Sequence, residues 1–240
     1  MDVDYLRRGV AEYVGTFTLI FIGGGAGIWS GNDIVAVALA NGLAIGIMVT
    51  NLGHISGGHF NPSITLGFVV TKRIAPVLAV VYWISQLLGA ISAAFVLRYL
   101  FSKSALAFST PAPHTTDGRA VVLELVMTFF LVFAVWATAV DARGAFKSIA
   151  GLAIGLTITM DVFVGGQVTG AAMNPARALG PELAGGTWTG WWIYWIGPIA
   201  GALIASLLYE HLYLAPLRPP VVGTPASGVD EPRPGETAVS

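Results

Sequence analysis

One pattern is written twice in this chain, and the apolar stretches around each copy decide what topology the chain can take. Gly53–Gly67 (GHISGGHFNPSITLG) and Gly166–Gly180 (GQVTGAAMNPARALG) each hold a glycine, a polar residue, a branched apolar residue, a hydroxyl and a glycine, then a central Asn-Pro, 113 positions apart. Glu12 with Thr16-Phe17 matches Glu124 with Thr128-Phe129 at an offset of 112, and Tyr82-Trp83-Ile84 matches Tyr194-Trp195-Ile196 at the same offset. Gly-Leu-Ala-Ile-Gly stands at Gly42–Gly46 and again at Gly151–Gly155. A bilayer core needs roughly 20 apolar residues per helical crossing. Suitable runs are Val10–Trp29, Ile34–Leu52 and Ile74–Leu100 in the first copy, and Ala120–Val140, Ser148–Val164 and Trp191–Leu214 in the second. Three crossings is an odd number, so the second copy enters the membrane from the opposite side. The halves, about 6–100 and 118–214, are therefore inverted repeats of an all-α membrane protein.

Composition agrees. Only 10% of the 240 residues are charged and 55% are hydrophobic, against roughly 25% charged in an average soluble domain. The 30 glycines suit helices that pack backbone to backbone in lipid, and small-xxx-small pairs recur at Gly42/Gly46, Gly151/Gly155 and Gly197/Gly201. Cysteine is absent, which excludes disulfides and thiolate chemistry, and a net charge of −1 offers no footprint for nucleic acid. Arg7 and Arg8 before an apolar run could mark a signal peptide. Glu12 interrupts that run and the stretch recurs in the second copy, so it reads as a first membrane helix. Placing the N-terminus in the cytoplasm puts Arg7, Arg8, Lys72, Arg73, Arg143, Lys147, Arg218 and Arg233 inside, and leaves Arg98, Lys103 and Arg119 outside. Both termini are then cytoplasmic, on a multi-pass protein of the cell membrane. A channel domain is expected over residues 1–215. From about Pro216 the sequence turns rich in Pro, Gly, Ser and Glu, and 216–240 is expected to be a disordered tail.

Asparagine is a preferred N-cap and proline fits the first helical position, so each Asn-Pro predicts a helix start. About 11 residues separate Asn61 from Lys72-Arg73, and a similar number separates Asn174 from Gly185-Gly186. At 1.5 Å per residue each helix spans about 16 Å, half of a ~30 Å hydrocarbon core. Two half-helices entering from opposite faces would meet N-terminus to N-terminus. The runs before them, His54–Phe60 and Gln167–Met173, are expected to be extended, and such backbone is tolerated at membrane depth only along an aqueous cavity or inside protein. This predicts a pore with Asn61-Pro62-Ser63 and Asn174-Pro175-Ala176 at its centre. Two positive helix ends there oppose cations, while asparagine amides and backbone carbonyls serve neutral hydrogen-bonding molecules.

These residues resemble the aquaporin (major intrinsic protein) superfamily, over about Leu6 to Leu214. The resemblance implies six membrane helices and two half-helices, a homotetramer with one pore per subunit, and a filter of four residues. Arg177 matches the filter arginine, and the family's spacing puts the other positions at Asn41, Val162 and Ala171. It also implies that Glu12 and Glu124 accept hydrogen bonds from the backbone leading into the half-helices. A membrane arginine costs roughly 2.5–3.5 kcal/mol on insertion scales, which argues for use over a snorkelling role. Water-selective members are similar except for an aromatic at the place of Asn41 and histidine at that of Val162. Glycerol facilitators carry two filter aromatics, an aspartate after the arginine and a basic residue four further on; here those last two are Ala178 and Glu182. Ser63 stands where the usual motif has alanine. The filter is nearest to that of nodulin-like intrinsic proteins of bacteria.

The expected function is a passive channel for water and small uncharged solutes (glycerol, urea, neutral metalloid hydroxides) that excludes protons and ions. A strict water channel is the first alternative, and a coupled secondary transporter, which also uses inverted repeats, is the second. An enzyme fits poorly: no catalytic set or metal-ligand cluster converges on the pore, and no cofactor or metal is expected. His54 and His59 read as structural groups beside the first Asn-Pro. Gln86 reads as a bond across a helix interface. Asp161 is expected to face either the vestibule or a neighbouring subunit.

Overall fold

The computed structural model describes residues 3–143 and 149–215. The segment 216–240, expected as a disordered tail, lies outside the described residues, as do Lys147, Arg218 and Arg233. Six helices are long and apolar enough to cross a membrane: Val3–Ser30, Ile34–Ser56, Pro76–Leu100, Asp117–Val140, Ala150–Thr169 and Ile193–Leu214. They are called the first to sixth spans here. No strand occurs among the described residues. Large apolar side chains such as Leu43, Leu88, Leu152 and Ile204 are exposed on their outer faces, as helices bathed in lipid require.

Several boundaries differ from the apolar runs. The first span begins at Val3, well before Val10, because Asp4 pairs one turn on with Arg7 (2.8 Å) and Arg8 (2.6 Å). Such i,i+3 and i,i+4 pairs suit a helix end emerging into water. The second and fifth spans run on to Ser56 and Thr169, past Leu52 and Val164. Each stops at a glycine in the left-handed region, Gly57 (φ 96°) and Gly170 (φ 83°), the usual C′ terminator. The extended approaches are consequently shorter than expected, Gly57–Asn61 and Gly170–Asn174, because the polar residues before them complete the helices.

Both half-helices begin where Asn-Pro predicts. The first is Pro62–Val70 and the second Pro175–Gly185, about 14 and 17 Å long at 1.5 Å per residue. Each asparagine is extended (φ −156° and −159°), and its side-chain oxygen accepts from N–H groups of the first turn: Ser63, or Ala176 and Arg177. The first half-helix ends just before Lys72-Arg73, with the Thr71 hydroxyl donating to the Gly67 carbonyl (2.8 Å).

Glycine brings the spans together. A Cβ built on Gly155 would lie 2.4 Å from the Gly42 carbonyl oxygen, and one on Gly151 would lie 2.5 Å from that of Gly46. The two Gly-Leu-Ala-Ile-Gly copies thus face each other across the second and fifth spans, and no other residue fits. The first and third spans meet at Gly89 (2.5 Å to the Tyr13 carbonyl), the fourth and sixth at Gly201 (2.2 Å to that of Leu125). Gly89 and Gly201 are equivalent in the two copies, so the repeat is visible in packing as well as in sequence.

Candidate functional site

The approach to each half-helix carries backbone N–H groups that no helix satisfies, and a buried glutamate takes them. Glu12 accepts from the N–H of His59 (3.0 Å) and Phe60 (2.6 Å), the Ser56 hydroxyl (2.6 Å) and the Gln86 amide (2.8 Å). Glu124 accepts from the N–H of Ala172 (2.9 Å) and Met173 (2.7 Å) and from the Thr169 hydroxyl (2.7 Å). Both glutamates are fully buried, as a carboxylate can be only when its oxygens are hydrogen-bonded. Tyr82 and Tyr194 repeat the symmetry, their hydroxyls donating to the Ser56 and Thr169 carbonyls.

This clamp holds Phe60 (φ 49°) and Met173 (φ 51°) in the left-handed region, where non-glycine residues cost of order 1–3 kcal/mol. Their carbonyls are thereby turned to the opposite half. Asn61 Nδ2 donates to the Met173 carbonyl at 2.8 Å, and Asn174 Nδ2 donates to the Phe60 carbonyl at 2.9 Å. The half-helices do meet N-terminus to N-terminus, and the two halves exchange one hydrogen bond each. An amide nitrogen has two protons, so each asparagine keeps one N–H free at the seam.

Three cavities follow one another through the molecule. The middle one, about 30 Å³, is lined by Asn61, Asn174, Phe60 and Met173 together with Asn41, Ala171 and Arg177. A water needs roughly 10–15 Å³ of such volume, so this lumen has room for about two or three waters. Arg177 also borders a second cavity of about 80 Å³ with Ser109, His114 and Gly23. His59 also borders a third of about 480 Å³ with Arg8, His54 and Arg73. Arg177 and His59 therefore stand at the two ends of the lumen.

Asn61, Asn174, Asn41, Ala171 and Arg177 all line the lumen, and Pro62, Ser63, Pro175 and Ala176 are buried behind it. Val162 does not join them. It is buried among apolar side chains beside Gly166, and the fifth span presents Ile154 and Ile158 to the lumen instead. Residues four apart drift about 40° round a helix, which turns the third member of this series off the lumen. The Asn41 amide folds back, Nδ2 donating to the Val37 carbonyl of its own helix at 2.8 Å.

Other residues find their places. Gln86 bridges to Glu12 and to the Thr65 hydroxyl (3.0 Å), across helices as expected. His59 is buried with Nδ1 3.1 Å from the Thr65 hydroxyl and its ring 4.2 Å from that of Phe68, a satisfied group that nonetheless borders the lumen. Asp161 is 3% exposed, with Oδ2 lacking a hydrogen-bond partner among the described residues; it borders none of the three cavities. Sequence reasoning missed Ser109. Its carbonyl accepts from Arg177 Nη1 at 3.3 Å, and because the contact is to the backbone, no residue type could have signalled it.

Comparison with known proteins agrees with this geometry. The major intrinsic protein family matches residues 1–209. A probable aquaporin TIP-type alpha of Phaseolus vulgaris is 41% identical over 90% of this chain and 89% of its own length. Nodulin-26 of Glycine max is 42% identical over 88% of this chain and 79% of its length. The X-ray structure of the aquaglyceroporin from Plasmodium falciparum superposes with a TM-score of 0.79 at 25% identity, over 89% of this chain and 98% of that one. With six spans, two opposed half-helices and a lumen at their junction, the chain belongs to the major intrinsic protein (aquaporin) family, whose members are membrane channels and not enzymes.

Proposed function

We propose that this channel conducts water and small uncharged solutes, glycerol, urea and neutral metalloid hydroxides among them, and excludes protons and ions. The observation that carries the reading is the lumen itself, polar at Asn41, His59, Asn61, Asn174, Arg177 and the turned carbonyls, and lined elsewhere by apolar side chains. A molecule passing the seam can accept a hydrogen bond from a free asparagine N–H. It meets two helix N-termini that repel a cation or a migrating proton. Arg177 adds a fixed positive charge at one end of the lumen. Asn41, Ala171 and Arg177 form the filter in this reading, with Val162 backing it from outside the lumen. No aromatic side chain stands beside Asn41 in the filter, which favours solutes wider than water, and the likeness to an aquaglyceroporin supports including glycerol.

The same reading places residues 1–215 as the channel unit, both termini in the cytoplasm of the cell membrane, and four copies in a homotetramer. Arg8, Lys72, Arg73 and Arg143 gather at one end of the spans, which supports that orientation. A strict water channel is the second reading, favoured by the small volume of the lumen. Stopped-flow light scattering on proteoliposomes under an inward glycerol gradient separates them. Fast shrinkage with fast re-swelling is expected. Fast shrinkage alone supports the strict water channel, and neither phase above empty liposomes overturns both.

A further inference from the structure

Gly27, Gly89, Gly155 and Gly201 meet backbone most closely, whereas the three nearest atoms at Gly23 all belong to one polar side chain. The first span changes at Ile20–Gly24 to a π-helical turn, a device that re-aims residues without ending a helix. At Gly23 the turn leaves a recess toward the second span. A Cβ built there would lie 2.3 Å from Oδ1, 2.6 Å from Cγ and 2.9 Å from Nδ2 of Asn41, and from no other atom among its nearest neighbours. The whole carboxamide head thus occupies the volume of the missing methyl group, and flipping the amide would not relieve the clash. Gly23 borders the Arg177-side cavity and Asn41 borders the lumen, so the pair stands at the Arg177 end of the lumen.

We propose that Gly23 is a specificity-determining residue: its absent side chain is the recess that holds the Asn41 carboxamide against the wall, keeping the lumen open to solutes wider than water. This rests on the reading of the lumen as the conduit with Asn41 in its filter. With a methyl group at position 23 the amide has to leave the recess and give up its bond to the Val37 carbonyl. Its own helix lies behind it and the first span beside it, so the free direction is the lumen. The pore then narrows by a side chain it already has.

The test compares full-length wild type, Gly23→Ala, Asn41→Ala and the double variant in proteoliposomes, with water and glycerol permeability measured on each. Gly23→Ala is expected to keep the shrinkage phase and lose most of the glycerol re-swelling. The double variant, which has no amide to displace, is expected to regain it and match Asn41→Ala. An unchanged glycerol-to-water ratio in Gly23→Ala overturns the inference, as does a double variant as impaired as Gly23→Ala. If Gly23→Ala yields no folded protein, the double variant decides: recovery of folded, conducting protein supports the recess, and failure to recover overturns it. A wild type that passes water alone overturns the solute reading instead, and the same order of variants is then read in water permeability. A wild type that passes neither removes the conduit on which the inference stands.

Discussion

Gln86 donates its amide to Oε2 of Glu12 at 2.8 Å, and the second half has no counterpart, because Pro198 holds the equivalent position. The first half-helix approach is therefore clasped from one more side than the second. Gln86→Leu removes that bond and the one to Thr65 while leaving Glu12 its two backbone N–H groups and Ser56. A buried acceptor losing a donor costs about 1–3 kcal/mol, so a lower thermal midpoint in detergent is expected. An unchanged midpoint would mean that the amide is dispensable.

Glu124 has no such reserve. Glu124→Ala strands the N–H groups of Ala172 and Met173 in a dry interior, at roughly 1–3 kcal/mol each. Loss of folded protein on size exclusion, or of water flux in whatever folds, is the expected result. Normal flux from this variant would show that the approach to the second half-helix holds its shape without the carboxylate.

Arg177→Val removes the fixed charge at its end of the lumen while leaving the helix N-termini in place. Proton or cation leak across proteoliposomes should rise, read with a pH-sensitive dye, while neutral flux is spared. Leak equal to wild type would assign the barrier to the half-helices alone.

Asn41→Phe places a ring where the folded-back amide now sits against Gly23. The ring cannot enter the recess and must project into the lumen, so glycerol flux should fall more than water flux. Equal loss of both would remove residue 41 from the constriction.

Just past the fourth span, the Arg143 guanidinium donates to both oxygens of Asp141, its backbone N–H donates to Oδ1 at 2.9 Å, and the Tyr209 hydroxyl donates to Oδ2 at 3.1 Å. The guanidinium holds the Asp141 carboxyl well below the usual carboxylate range. A depressed folded pKa stabilises above the unfolded value, near 3.9, and that stability fades as pH falls below it. Arg143→Ala should therefore lower the thermal midpoint at neutral pH and converge with wild type in acid. Parallel curves across the acid range would show that the pair contributes no pH-linked stability.

The inverted fold was legible because Asn61-Pro62 and Asn174-Pro175 are local signals that repeat, and because three apolar runs per copy leave one topology. Helix ends were less legible. Ser56 and Thr169 are polar, so apolar runs stop short of them, yet their hydroxyls complete the glutamate clamps and draw the helices on. Of the four positions taken from the family's spacing, Asn41, Ala171 and Arg177 border the lumen while Val162 is buried beside it, a matter of how the fifth span is rotated that the residue types do not reveal. Gly23 left no usable mark, for its role depends on an amide from another helix.

The seam between the halves joins side chain to main chain. Asn61 and Asn174 each contact a carbonyl that every amino acid possesses, so the occupants of positions 60 and 173 could diverge to Phe and Met without loosening the join. Ancestral duplication can in this way be preserved as geometry while its spelling decays, with constancy demanded only of the donors.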